Sequence, residues 1–126
     1  MKLLLDSHVF LWLLFDPDRV KPRVREAIGA AESVSLSIVS LWELALKHTE
    51  GKLPHEPDKL NAGAEALNLF IQSVRPAHIE QLPGIKLEHQ DPFDQMLIAQ
   101  SHVDQLILVT ADNLLLMSDY ATIDAR

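Results

Sequence analysis

Four acidic residues stand where the elements of an α/β sheet would bring them to one edge. Asp6 directly follows the first predicted strand, and Asp112 lies just beyond the strand predicted at 106–109. Asp94 falls in the first turn of the helix leading into that strand, and Glu43 in the early turns of the helix after the second strand. Ligands bind outside the carboxyl ends of parallel strands, where the following helices also begin. We therefore expect the four carboxylates to converge at that edge.

The chemistry that such a group favours depends on a divalent cation. Carboxylates sharing a pocket repel one another, which raises their pKa values unless positive charge lies between them. Mg²⁺ and Mn²⁺ prefer oxygen ligands and need only one or two direct carboxylates each. Such a site lowers the pKa of a water, orients it and stabilises the leaving oxygen of a phosphodiester. The pattern predicts metal-assisted phosphodiester hydrolysis without a side-chain nucleophile, in a chain that has no cysteine.

Each of these acids also has a structural interpretation, and the spacing alone leaves both open. Asp112 is well placed to cap the short helix that follows it, and Asp91 to cap the helix that begins at 92. Glu43 follows Ser40 at the spacing of a capping box. Asp94 lies at the third position of its helix, where a carboxylate interacts favourably with the helix dipole.

Two hydroxyls lie beside the predicted metal-binding aspartates. Ser7 follows Asp6, and Thr110 precedes Asp112 by two residues. Each hydroxyl could orient the neighbouring carboxylate or hold a water, as groups behind a metal ligand do, and capping is the equal alternative. Three histidines are expected at the surface or at the edge of the core rather than at a metal. Both tryptophans are expected in the core. These residues are His8, His48, His102, Trp12 and Trp42.

The element pattern predicts one α/β domain over residues 1–126. Short apolar runs alternate with helical segments that open on proline or on a capping residue, which is typical of a parallel sheet covered on both faces. Strands are predicted at 2–5, 34–37, 74–77, 106–109 and 120–123, the last at an edge. Helices are predicted at 8–15, 22–32, 39–49, 58–73 and 92–103, with shorter helical segments at 78–82 and from 113.

Composition limits the other classes of function. The longest apolar run, 9–15, is far too short to span a membrane, so we expect a soluble protein of the cytoplasm. The net charge is −7, with 18 acidic and 11 basic side chains, which does not by itself favour nucleic acid. Two local basic patches are candidates for contacts with RNA, and each has a solvated helix face as its alternative. They consist of Arg19, Lys21, Arg23 and Arg25, and of Lys47, His48 and Lys52.

Four segments together resemble the motifs of PIN domains, particularly of VapC-like toxins. The opening MKLLLDSHVFLW is similar to a first motif of the form D-T-H-x-x-L-W, and SLWELA to the second acidic motif. The segment DPFDQMLIAQ is similar to D-P-F-D-R-x-L-I-A-Q, and LVTAD matches the fourth motif. The four occur in the family's order and span nearly the whole chain.

The resemblance implies a three-layer α/β/α PIN-like fold with a central, mostly parallel sheet. It implies a Mg²⁺- or Mn²⁺-dependent endoribonuclease that is the toxin of a toxin–antitoxin pair, held inactive by a cognate antitoxin and usually homodimeric. It gives catalytic and metal-binding roles to Asp6, Glu43, Asp94 and Asp112, with Asp91 beside them. It does not identify the residues that bind RNA.

Two residues depart from the family pattern. Ser7 replaces the commoner threonine and keeps its hydroxyl, whereas Gln95 replaces the usual arginine and removes a cation beside Asp94.

Two other classes of function are alternatives. A receiver-like signalling domain requires paired acids after the first strand, but Asp6 stands alone there. A catalytically silent PIN domain that binds RNA or protein is the remaining alternative, and the presence of all four acids disfavours it.

Overall fold

The computed structural model describes all 126 residues and contains a five-stranded sheet. The strands are β1 (Lys2–Leu5), β2 (Ser33–Ser37), β3 (Phe70–Gln72), β4 (Ile107–Thr110) and β5 (Thr122–Asp124). They run in the order β3-β2-β1-β4-β5, and every neighbouring pair is parallel. Because β1 and β4 are neighbours, residues just after them meet at the same edge.

Seven α-helices connect the strands, and four of them begin at proline. Proline suits the first helical position because its φ angle is preset and its missing N–H would be unpaired there anyway. The helices are α1 (Ser7–Phe15), α2 (Pro22–Ala30), α3 (Ile38–Thr49), α4 (Pro57–Ala66), α5 (Pro76–Gln81), α6 (Pro92–Asp104) and α7 (Asn113–Leu116), with 3-10 turns at Pro17–Arg19 and Leu82–Gly84. The helices are too short or too polar to cross a membrane.

Both faces of the sheet are covered, which gives three layers. Successive side chains of a strand point to opposite faces. Leu3 and Leu5 accordingly pack into a cluster with residues of α1 to α4, whereas Leu4 packs into a second cluster with residues of α6 and α7. All three leucines are fully buried. The expected α/β/α fold is confirmed, and the sheet is parallel throughout.

The segment around β3 differs from the sequence-based expectation. A single helix was expected over 58–73, but α4 ends at Ala66 and the chain then adopts a left-handed conformation at Asn68, where φ is 56°. β3 follows at 70–72 and pairs with β2, so the strand predicted at 74–77 is wrong by position. Asparagine tolerates the left-handed region better than most residues, which makes it an effective helix terminator.

Candidate metal centre

Asp6 lies at the carboxyl end of β1 and is tied to the end of β4. Its backbone N–H donates to the Val109 carbonyl at 2.9 Å, and its side chain is almost completely buried. The Thr110 hydroxyl donates to Asp6 Oδ2 at 2.6 Å and accepts the Asp112 backbone N–H at 3.0 Å. Thr110 therefore orients Asp6 and fixes the backbone of Asp112.

Glu43 reaches the same edge from α3. The Ser7 hydroxyl donates to Glu43 Oε1 at 3.0 Å, and its oxygen lies 3.4 Å from Asp6 Oδ1, so one hydroxyl bridges the two acids. The capping-box interpretation of Glu43 is wrong, because the cap of α3 is Ser37, whose hydroxyl accepts the Val39 N–H at 3.0 Å. A side chain at this position of α3 faces Ser7 and is not needed to hold the start of the helix.

Asp91 is the N-cap of α6, as the sequence predicts. Its Oδ1 accepts the backbone N–H of Phe93 at 2.9 Å and of Asp94 at 3.2 Å. The Asp94 carboxylate is left free of capping and points into the buried edge, where it is 9% exposed. The two acids of this segment therefore have separate positions, with Asp91 holding the helix start and Asp94 facing the other carboxylates.

Asp112 caps α7 with one oxygen only. Its Oδ1 accepts the backbone N–H of Leu114 at 2.8 Å and of Leu115 at 3.3 Å. A carboxylate has acceptor capacity on both oxygens, so capping through Oδ1 leaves Oδ2 for a ligand. The structural and functional interpretations of Asp112 are compatible in this geometry.

His89 belongs to the site, although the sequence analysis did not single it out. Its Nε2 lies 2.7 Å from Asp94 Oδ2, and the ligand atoms of His89, Asp94 and Asp112 all lie within 4.8 Å of one another. The Nδ1 atom of His89 is buried and has no hydrogen-bond partner. His89 lies in the loop before α6, where no periodic pattern or short ligand spacing marks it. The only available signal was its position two residues before the cap of an acidic helix start.

The electrostatics of this edge favour a cation. Burial and, to a smaller extent, repulsion from Asp91, Asp6 and Asp112 together raise the pKa of Asp94 to about 6, although the hydrogen bond with His89 lowers it. The hydrogen bond with Asp94 raises the pKa of His89, which burial opposes and the nearby carboxylates reinforce. The carboxylate oxygens suit a hard divalent cation, and the His89 imidazole is a ligand for transition metals, while the Lys47 ammonium, 3.6 Å from Glu43, offsets part of the negative charge. His89, Asp94 and Asp112 therefore form a group that could hold a divalent metal ion.

Of the histidines, only His89 belongs to the group that could hold a metal ion. His8 and His102 are exposed, and His48 Nδ1 lies 2.9 Å from the Leu53 carbonyl. The prediction that Trp42 is in the core is wrong, since its side chain is 59% exposed and packs edge-on against Phe93 at 5.3 Å between ring centres. Apolar neighbours in α3 predicted burial, but Trp42 lies on the outward face of that helix.

Solved structures share this fold over nearly their whole length. A chain of the DNA-bound VapBC complex from Salmonella typhimurium matches with a TM-score of 0.72 and 19% identity, covering 98% of this chain and 97% of that chain. A chain of the promoter-DNA-bound VapBC2 complex from Rickettsia felis matches with a TM-score of 0.71 and 11% identity, covering 98% of both chains. A chain of FitAcB from Neisseria gonorrhoeae matches with a TM-score of 0.61 and 20% identity, covering 99% and 98%.

The sequence itself matches a protein family, whereas no curated protein matches it. The model of the PIN domain family aligns with residues 3–119, which include β1 except for its first residue, β2 to β4, every helix and all four acids of the sheet edge. The match and the fold agree with the motif resemblance. The chain belongs to the PIN domain family.

Proposed function

We propose that this protein is a divalent-metal-dependent endoribonuclease acting as the toxin of a toxin–antitoxin pair. The observation that supports it most strongly is the convergence of acids from four separate segments at one sheet edge. Ser7 links Asp6 to Glu43, and Asp94 lies close enough to Asp6 and Asp112 for their charges to raise its pKa. A buried group of this kind is costly in a metal-free protein and favourable around a cation.

Mg²⁺ or Mn²⁺ would be held by Asp6, Glu43, Asp94 and Asp112, with His89 beside them. A bound cation would supply positive charge opposite the phosphodiester and would lower the pKa of a water, so that hydrolysis of RNA would need no covalent enzyme intermediate. The same four acids are the catalytic residues of this proposal.

The neighbouring groups fix the acids before substrate arrives. Thr110 holds one oxygen of Asp6, and Ser7 restrains Asp6 and Glu43 through a single hydroxyl. Asp91 holds the first turn of α6 and so the backbone that carries Asp94. Groups that orient ligands from behind contribute to metal affinity by limiting how far the ligands move when the metal is absent.

The toxin role and the partners rest on the relatives. Chains of the VapBC complexes share the fold over 98% of this chain, which supports a cognate antitoxin protein as partner. RNA as substrate follows from the family resemblance. A homodimer follows from the family resemblance, and a location in the cytoplasm follows from the sequence. Gln95, partly buried beside Asp94, replaces the arginine usual in the motif, so any role of that arginine in binding the partner or the RNA backbone is not carried over to this chain.

Cleavage of a mixed tRNA and rRNA pool tests the proposal. Purified, partner-free protein is incubated with Mn²⁺, with Mn²⁺ plus EDTA, and as the Asp94→Asn variant. Asp119→Asn is the matched control, because Asp119 is exposed and lies beside Gln105 and Leu106 at the opposite sheet edge. We expect cutting by the wild type and the control, and none with EDTA or Asp94→Asn. Folded wild-type protein that cuts nothing would favour the silent binding module instead.

A further inference from the structure

A cavity of about 350 Å³ opens beside two of the four acids. Its wall includes two acids, two arginines and two rings, which are Asp6, Asp112, Arg19, Arg126, Trp12 and His8. The volume lies in the lower range of pockets that bind small ligands or single groups of larger ones. Negative and positive side chains therefore line the same opening. None of the other large cavities has one of the four acids in its wall.

Arg19 is oriented in this cavity without an acidic partner. Its guanidinium carbon lies 4.6 Å from the centre of the Trp12 ring, whose face attracts the cation. None of the ion pairs of the protein includes Arg19, and its guanidinium makes no hydrogen bond. Arg25, from the same predicted basic patch, pairs with Asp18 at 3.8 Å and donates to the Val20 carbonyl at 3.2 Å. Arg19 thus keeps its donors available.

Arg126 faces the same space from the segment after β5. Its Nη2 donates to Asn113 Oδ1 at 2.6 Å, which fixes the side chain beside the residue that follows Asp112. A second contact joins its Nε to Asp124 Oδ1 at 3.5 Å, an exposed pair that high dielectric weakens. Asn113 is neutral, so the guanidinium retains positive charge at the cavity mouth.

The two arginines at this cavity explain how a chain of net charge −7 could attract a polyanion. Arginine presents planar donors that match phosphate oxygens in pairs, and two of them beside a metal centre make a local positive field. We propose that this cavity binds the backbone phosphate of the nucleotide next to the scissile bond, with Arg19 and Arg126 as its ligands. Trp12 positions Arg19. The inference rests on the proposed nuclease function, because the acids define where the scissile bond lies.

RNA binding without cleavage tests the assignment. Arg19→Gln and Arg126→Gln are made in the Asp94→Asn background and titrated with a labelled single-stranded oligouridylate at several salt concentrations. Arg23→Gln is the control, since Arg23 is exposed, belongs to the same predicted patch and lies outside the cavity. Each cavity variant should weaken binding roughly three- to tenfold near 0.1 M salt and reduce the salt dependence by about 0.7 to 1 in slope, whereas the control should not.

Two further measurements separate this inference from the nuclease proposal. In the active background, Arg19→Gln should slow cleavage of long RNA through KM, and leave cleavage of a dinucleotide unchanged, because a dinucleotide has no neighbouring phosphate. Its stabilisation by Mn²⁺ should equal that of the wild type. If the wild type cuts no RNA, the nuclease proposal fails first. If the wild type cuts RNA and the cavity variants bind it as tightly as Arg23→Gln, only the phosphate assignment fails.

Two outcomes would assign the cavity differently. Unchanged RNA binding together with weaker binding of polyglutamate would make the cavity a site for an acidic protein segment. Loss of Mn²⁺ stabilisation in Arg19→Gln would mean that the arginine supports the acids and does not contact RNA. Either result would overturn the proposal.

Discussion

The two ends of α6 carry aspartates in opposite electrostatic situations. Asp94, in the first turn, has a pKa of about 6 because of burial and neighbouring carboxylates. Asp104, in the last turn, also loses hydration, but hydrogen bonds from Arg75 and His78 outweigh this and hold its pKa below the ordinary value. The helix dipole favours negative charge at the first turn and opposes it at the last. The tertiary neighbours therefore reverse what position in the helix alone would give.

Both carboxylate oxygens of Asp104 have partners within the chain. Arg75 Nη2 lies 2.6 Å from one oxygen, and His78 Nε2 lies 2.9 Å from the other. The His78 ring is fully buried, and its Nδ1 accepts the Arg75 backbone N–H at 2.9 Å, so Nε2 carries the proton and donates. Gln72 also donates to Asp104. This cluster ties β3 and α5 to the end of α6.

The difference separates a cluster whose charges are balanced within the chain from a cluster that could hold a metal ion. Asp104 has its cationic and hydrogen-bonding partners within the chain, so a cation would add little there. Asp94 has only His89 against three carboxylates, so its charge remains unbalanced. A carboxylate retained at such a cost is a candidate for function, because evolution of stability alone would remove it.

The largest expected change in stability comes from removing the satisfied aspartate. Asp104→Ala should lower the free energy of unfolding by about 2 to 4 kcal/mol, because it leaves the buried His78 N–H and Arg75 without their acceptor. Asp94→Asn should leave the free energy of unfolding of metal-free protein at neutral pH equal or higher, since it removes repulsion. Urea unfolding of both variants in EDTA measures this. A larger loss for Asp94→Asn would reverse the comparison.

The second expected effect is that the stability of the metal-free protein depends on pH with opposite sign at Asp94 and at Asp104, the aspartates at the two ends of α6. The folded pKa of Asp94 lies above its ordinary value of 3.8, so metal-free protein should lose stability as pH rises from about 4 to 6, by at most about 3 kcal/mol. His89, whose pKa is raised, adds a loss as pH rises above 6.5. Asp104, whose pKa is lowered, should contribute stability that disappears only as pH falls below about 4.

Urea unfolding at a series of pH values in EDTA measures these contributions. Asp94→Asn should flatten the decline between pH 4 and 6 and leave the acid limb unchanged. A decline of the same size in Asp94→Asn would show that another group titrates in this range.

The smallest expected effect is the loss of the N-cap that Asp91 provides for α6. Asp91→Ala should cost about 1 kcal/mol, the usual value for a lost N-cap. Asp91→Ser, which keeps an acceptor, should recover most of that loss, and thermal unfolding in EDTA compares the two. If Asp91→Ala were stabilising, repulsion within the acidic group would exceed the capping contribution.

The sequence was most informative where an element boundary and a side-chain role coincide. Asp6 and Asp112 follow buried strands, and parallel strands have few ways to pair, so their proximity could be predicted. Asp91-Pro92 marked the start of α6 because a capping carboxylate and a preset φ angle act locally. Local rules predicted these positions without any knowledge of tertiary contacts.

Tertiary contacts decided the features that the sequence did not show. The apolar spacing over 58–73 continued a helical pattern through Asn68, but pairing of β3 with β2 ends the helix there. His89 reaches Asp94 only through the path of an irregular loop. Arg126 is far in sequence from Arg19, so their shared cavity could not be inferred from the basic patch that contained Arg19.

Thermal unfolding with Mn²⁺ tests the central claim, that the Asp94 end of α6 is a cation site. The wild type, Asp94→Asn and the control Asp119→Asn are melted in EDTA and in increasing Mn²⁺. A ligand that binds only the folded state at a hundredfold excess over its Kd adds about 2.7 kcal/mol, so Tm should rise by several degrees. We expect that rise in the wild type and the control and its loss in Asp94→Asn. An unchanged Tm of the wild type at millimolar Mn²⁺, or an equal rise in Asp94→Asn, would contradict the account.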